Sequence, residues 1–249
     1  MEILNTRIAE SQEMRRKGEH APAHIPSLTI EEMIAAARRP LSSEEAEAER
    51  QRIAENRRTV EEHERAEALA TWKAKCPLRI QSNDWNHDSL RPFQRHIRRI
   101  LGWQRQGQGI YAVGKPGRGK SRALWWLAHR LAVDELVPLR YLAQSEILNE
   151  VNRTGLDPWL EKMWSLRNVP VLVWDDFGNF AAMQSRQDVL ATELFGLIDH
   201  RFNAMLPMLI SSNVRADGLT AIFGDRTEAI MRRLMEGNEM VDFDDEVRS

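Results

Sequence analysis

Apolar residues along the chain gather into four short runs, and stretches with helical spacing separate them. Gly109-Ile110-Tyr111-Ala112-Val113 is short, apolar and β-favouring. From Arg122 to Val133 the apolar positions recur with a helical period, bringing Leu124, Leu127 and Leu131 to one face. Val137 to Leu142 predicts a second strand, and Ser145 caps a helix running to Val151. Val169 to Trp174 is continuously apolar without alternation, the pattern of a central parallel strand covered on both faces. Ala191 to Ala204 predicts an amphipathic helix carrying Leu194, Leu197, Ile198 and Phe202, and Leu206 to Ile210 predicts another buried strand. Strands alternating with helices predict an α/β fold built on a central parallel sheet.

The first 75 residues have a different texture. Trp72 is their one aromatic residue, and Glu, Arg and Ala dominate. Leu28 to Glu32 predicts a helix start with Ser27 or Thr29 as the cap. Pro40 breaks that helix, and Ser42-Ser43-Glu44-Glu45 restarts one. From Glu44 to Lys75 opposite charges lie three or four apart, as in Glu62 with Arg65, while Ile53, Val60, Leu69 and Trp72 are sparse apolar positions. A helix this polar buries little surface, which predicts an exposed helical arm over 1–75, set apart from an α/β domain over 76–249. The arm suits a partner-docking module or a solvated tail. Leu78 to Pro92 reads as irregular, and Arg91 to Arg105 as a basic helix carrying Phe93, Ile97, Ile100 and Leu101. Trp159 and Trp164 fit core positions of a short helix better than a base-stacking platform.

Composition narrows the class. The chain has 249 residues, 42% hydrophobic and 29% charged, with a net charge of −2. One cysteine, Cys76, excludes an intramolecular disulfide framework and a multi-cysteine zinc site, and suits a reducing cytoplasm. No apolar run approaches the roughly 18 residues of a membrane span, and Met1 to Glu10 mixes charges among its apolar residues, unlike a signal peptide. Residues 76–136 hold 11 Lys/Arg against 4 Asp/Glu, whereas Asp242 to Glu246 is acidic. A basic half of this kind serves phosphates of a nucleotide or of nucleic acid, or forms a solvated surface.

Chemistry enters at Gly114-Lys115-Pro116-Gly117-Arg118-Gly119-Lys120-Ser121, which fits G-x-x-x-x-G-K-[ST] between the predicted strand and helix. Glycines let backbone N–H groups turn inward on phosphates, and the helix N-terminus adds positive potential. Lys120 then reaches the β/γ-phosphates of ATP, and Ser121 ligates Mg²⁺. Asp175 and Asp176 end the apolar strand about fifty-five residues later, the end where such sheets hold ligands. Asp175 is expected to hold the Mg²⁺ bound by Ser121, and Asp176 to orient or activate the attacking water. Ser211-Ser212-Asn213 ends the next strand, and Asn213 suits holding that water, sensing the γ-phosphate or starting a turn. Arg226, Arg232 and Arg233 form a further basic element, suited to reaching a neighbouring subunit's phosphate or to a surface helix.

These boxes in this order resemble the DnaC/DnaI-type helicase loaders and their phage relatives among the AAA+ ATPases, over about residues 76–248. The carriers are Gly114 to Ser121, Val171 to Gly178, Ile210 to Asn213 and the Gly-Asp-Arg…Arg-Arg-Leu…Gly-Asn block at 224–238. The resemblance implies Arg226 in the closing block, Arg233 as the best match to the trans-acting finger with Arg232 as the alternative, and Arg248 at the sensor-2 position. It implies a replicative helicase hexamer as partner of the N-terminal arm, single-stranded DNA as a ligand, self-assembly on the helicase, and a cytoplasmic protein acting in DNA replication. Asp176 stands where many AAA+ proteins carry the longer Glu, which implies slow turnover. IstB-like ATPases that serve a transposase share the same boxes, and a nucleotide-sensing adaptor without turnover is a third reading.

Overall fold

The computed structural model describes residues 42–82, 87–105, 107–143, 156–178 and 187–245. The helix expected from Leu28, the one from Ser145 to Val151, and Arg248 lie outside these residues. The chain divides into two compact units, residues 1–56 and 57–249. The boundary falls nineteen positions before residue 76, within helix α1 (Ser43–Lys75).

In the first unit, α1 opens with a capping box. Ser42 Oγ accepts the Glu45 amide at 3.2 Å, and the Glu45 carboxylate accepts the Ser42 amide at 2.9 Å. Ile53 is 56% exposed. In the second unit the helix is laced by Arg57–Glu61 and Arg58–Glu62 pairs, both at 3.0 Å, each worth about 0.3–0.5 kcal/mol. Glu62 therefore pairs with Arg58 rather than with Arg65. The Arg65 guanidinium instead donates to the carbonyls of Val133 and Asp134. Leu69 packs beside a buried cluster of Trp72, Cys76, Ile80 and Trp125, so the last turns of α1 belong to the core.

Beyond α1 follow a one-turn helix α2 (Leu78–Gln81), a 3₁₀ turn (Asp88–Phe93) and α3 (Gln94–Leu101). Strand β1 (Gly109–Val113) leads into α4 (Lys120–His129), which widens into a π turn over Arg130–Asp134. The remaining elements are β2 (Leu139–Ala143), α5 (Leu156–Arg167), β3 (Val171–Phe177), α6 (Gln187–Asn203), β4 (Met208–Ser212), α7 (Ala216–Phe223), a 3₁₀ turn (Gly224–Arg226), α8 (Thr227–Gly237) and β5 (Asn238–Asp242). The five strands form one parallel sheet in the order β2-β3-β4-β1-β5.

Side chains of β1 alternate between two cores. Tyr111 and Val113 join a cluster with Leu194, Leu197 and Leu234, whereas Ile110 and Ala112 join one with Ile97, Leu124 and Leu127. Both faces of the sheet are thus covered by helices, as the unbroken apolar runs predict. Arg201, fully buried, donates to the carbonyls of Leu166, Val169 and Pro207 and ties the end of α5 to the approach to β4. Trp164 departs from the core expectation: it is 65% exposed beneath the Arg167 guanidinium, while Met163 and Leu166 take the buried face of α5. The Trp159 side chain lies outside the described residues. Among the described residues no helix is long and apolar enough to cross a membrane.

Candidate nucleotide-binding site

The order of strands decides what meets at the C-terminal edge of the sheet. β4 lies between β1 and β3, so its last residues emerge between the glycine loop after β1 and the two acids that close β3. The loop itself needs its glycines. Gly119 has φ +94°, and an added Cβ would come within 2.9 Å of Leu90 Cδ2 and 3.2 Å of Ile97 Cδ1. Gly114 has φ +140°, and its Cβ would meet Phe243 Cβ at 3.0 Å.

Lys120 begins α4 and is 4% exposed. Its ammonium donates to the carbonyls of Gly114 (2.7 Å) and Lys115 (2.8 Å) and to Asn213 Oδ1 (2.9 Å). Asn213 Nδ2 in turn donates to Asp176 Oδ1 at 2.7 Å. One amide thereby joins the lysine of the glycine loop to the second acid of β3. Burial pushes the Lys120 ammonium down to about 8; Arg118 adds to that shift, and Asp244, Asp176 and Asp175 oppose it.

The two acids differ. The register between β3 and β4 shifts between Trp174 and Phe177, and Asp176 has φ +60°, a left-handed conformation that Asp tolerates better than most residues. This irregularity takes both acids out of the β3–β4 ladder, while Asp175 stays in register with Ala143 of β2. The Asp176 amide donates to Ser211 Oγ at 2.9 Å, and that hydroxyl donates to Asp175 Oδ1 at 2.5 Å. Asp175 Oδ2 accepts the Trp125 indole N–H at 2.9 Å. Both Asp175 oxygens thus have partners within the chain, and Ser121, half-buried in the first turn of α4, does not hydrogen-bond to it. Burial, and after it the charge of Asp175, pushes the Cys76 thiol up to about 12.

A second feature was visible in the sequence only as an acidic tail. Asp244, just past β5, accepts the Lys115 amide at 3.0 Å and pairs with Arg118 at 2.5 Å and Arg215 at 3.1 Å. Burial pushes its carboxyl up, but the Lys115 amide, Arg215 and Arg118 together hold it below the usual carboxylate range. The Arg118 guanidinium lies 5.1 Å from the Phe93 ring centre. Pro92, Phe93, Lys115, Arg118, Phe243, Asp244 and Asp245 line an open cleft of about 860 Å³. The parallel approach of β5 to β1 creates this neighbourhood, so no local motif announces it.

The closing arginines stand apart from this group. Arg226 is exposed and donates to Thr192 Oγ1 at 2.7 Å. Arg233 is held in its own chain by Asp199 (2.5 Å) and the Ala229 carbonyl (2.9 Å), and lies over the Phe195 ring. Arg232 is exposed on α8 and faces a cleft shared with Thr220, Asp225 and Glu228. Among the described residues, none of these three arginines hydrogen-bonds to the glycine loop or to the acids of β3.

The donor chemistry suits a hard cation. Mg²⁺ takes oxygen ligands, keeps several waters and is commonly held by one or two protein groups together with phosphates. Ser121, Asp175 and Asp176 are such oxygen donors, and among the described residues no cluster of three or more His, Cys, Asp or Glu offers an all-protein cage. The residues fit a magnesium ion that arrives with a nucleotide.

No protein-family model matches the chain. The replicative helicase loader DnaI of Bacillus subtilis (strain 168) is 33% identical over 139 residues, 53% of this chain and 43% of that protein. The chain thus spans less than half the length of the curated relative it matches. The crystal structure of DnaI superposes with a TM-score of 0.50 at 21% identity, covering 68% of this chain and 89% of that one, which is a likeness of fold. In sequence over 139 residues and in fold, the chain is similar to the helicase loader DnaI.

Proposed function

We propose that the chain is an ATP-dependent replicative-helicase loader whose P-loop domain binds Mg·ATP and acts as a slow switch. The observation that carries the nucleotide reading is the Lys120–Asn213–Asp176 linkage at the mouth of the sheet. The loader reading draws on the likeness to DnaI. Bound ATP and magnesium would supply a polarised phosphoanhydride; the chain would supply position and charge. Lys120 would exchange loop carbonyls for phosphate oxygens, Ser121 and Asp175 would hold the magnesium, and Phe93 and Arg118 would hold the base. Asp176 accepts the proton of the attacking water, and Asn213 couples that carboxylate to the phosphate-binding lysine. The arm over 1–75 engages the helicase hexamer, and the domain over 76–249 assembles on it and contacts single-stranded DNA.

Lys120 gives this site a pH dependence. Free Lys120 is charged below about 8, and bound phosphates raise that value. ATP affinity should therefore hold steady below pH 8 and fall by up to about tenfold per pH unit above it, until the pKa of the complex is passed. ATP titrations between pH 7 and pH 9.5 read this directly, and a flat profile contradicts the assignment of Lys120.

The arginine that reaches a neighbouring subunit is sought first at Arg232, which is exposed on α8, and second at Arg233, whose Nε and Nη1 are engaged by Asp199 and the Ala229 carbonyl. Arg232→Ala should leave ATP affinity unchanged and reduce turnover of the assembled protein by about 10³-fold. Arg233→Ala should lower thermal stability by about 1–3 kcal/mol through loss of a partly buried ion pair. Equal turnover of the Arg232 variant and wild type in the assembly would remove the finger from that position.

Loading is tested by mixing the full chain with the replicative helicase of the source cell, circular single-stranded DNA and ATP. ATP-dependent retention of helicase on the DNA supports the loader reading. No retention, with capture of a transposase by the full chain from lysate, would favour the IstB-like reading.

A further inference from the structure

We propose that Trp125 is a positioning residue that ties the Asp175 carboxylate to the last turns of helix α1, so that the seating of Trp72 is felt on the magnesium side of the nucleotide site. The proposal rests on the nucleotide reading above and adds a regulatory input to it. Trp125 lies in the second turn of α4, 3% exposed, its ring stacked on Tyr141 at 4.9 Å and 10°. Burial and stacking alone would make it an ordinary core residue. Its two polar groups say more. The indole N–H donates to Asp175 Oδ2 at 2.9 Å, and the backbone carbonyl of the same residue accepts the Trp72 indole N–H at 2.8 Å. Trp125 thus touches the acid with its side chain and α1 with its main chain.

The acid end of this linkage is firm. Ser211 Oγ holds Asp175 Oδ1 and the Trp125 indole holds Oδ2, so the carboxylate cannot turn without losing one partner. An indole N–H is donor-only and rigid, so its direction is set by how the ring is packed. The α1 end is equally well defined. Trp72 packs on Trp126 at 5.2 Å and edge-on to His129 at 4.9 Å, one turn along α4. Arg65 donates to the carbonyls of Val133 and Asp134, where α4 ends in its π turn. Helix α1 therefore grips α4 at its middle and at its end, and the middle grip is made at the residue that holds Asp175. Hydrogen-bond partners that orient a metal-side carboxylate typically change metal affinity by 10–100-fold when removed.

The test uses the full chain saturated with a fluorescent ADP analogue in EDTA, then titrated with Mg²⁺. Trp125→Phe keeps the ring packing and deletes the donor. It should raise the Mg²⁺ midpoint by about tenfold while leaving magnesium-free nucleotide affinity unchanged. Trp72→Phe should move the midpoint the same way by a smaller factor, and the double variant should match Trp125→Phe alone. Trp103→Phe, whose indole donates to the Gln108 carbonyl away from this linkage, should leave the midpoint where wild type has it. An unchanged midpoint in Trp125→Phe overturns the positioning role. Should Trp125→Phe not fold, an unchanged midpoint in Trp72→Phe overturns the coupling by itself. Independent, additive shifts in the two variants also overturn the coupling. Failure of wild type to bind the nucleotide at all is a separate result: it removes the nucleotide reading, and this proposal with it.

Discussion

Replacing Lys120 by Ala should weaken ATP binding by at least about a hundredfold, equivalent to about 3 kcal/mol, because it removes a charged hydrogen-bond donor from a site shielded from water. The side chain is held by three oxygens, and all three bonds disappear with it. Burial already works against the charged form of this lysine, pushing it down to about 8. Its removal from the free protein should therefore cost little stability, and the thermal midpoint separates lost affinity from lost folding. Unchanged affinity in a folded Lys120→Ala protein would withdraw the site assignment.

The second large effect is expected from Asp176→Asn. Asn is isosteric, keeps an oxygen to accept the Asn213 amide, and is among the residues that tolerate the left-handed backbone at φ +60°. Nucleotide affinity and stability should therefore stay close to wild type. The substitution removes the group that can take a proton, so single-turnover hydrolysis should fall by about 10²–10⁴-fold. A folded Asp176→Asn protein that hydrolyses ATP at the wild-type rate would show that the acid at this position does not act on water. Asp176→Ala is a poorer probe, because it leaves the Asn213 amide without its acceptor and strains the backbone.

Much of this site was legible because it is written in local order. A glycine loop between an apolar strand and a helix, and two acids closing a second apolar strand, are patterns carried by neighbouring residues. Asn213 was legible for the same reason, standing at the end of a third apolar run, although its bonds to both Lys120 and Asp176 depend on β4 lying between β1 and β3. What escaped notice depends on elements far apart in the chain. Asp244 reaches the Lys115 amide only because β5 runs beside β1. Trp125 reads from the sequence as one more apolar residue of the P-loop helix, and its bonds to Asp175 and Trp72 need β3 and α1 packed against that helix. Arg65 was expected to pair along its own helix, whereas two free carbonyls at the end of α4 attract it instead. The polar composition of α1 suggested an arm exposed throughout, yet Leu69 and Trp72, sparse as they are, fall close enough together to seat its last turns on the core. Trp164 shows the reverse: the helical period alone does not say which of Met163 and Trp164 faces inward.

The most direct test of the central claim is a calorimetric titration of the full wild-type chain with ATP in magnesium buffer near pH 7.5. Saturable one-to-one binding with a Kd between about 1 µM and 1 mM is expected, weakened on chelation of magnesium and weakened further in Lys120→Ala. Absence of saturable binding by a folded wild-type protein at several times the upper end of that range would contradict it.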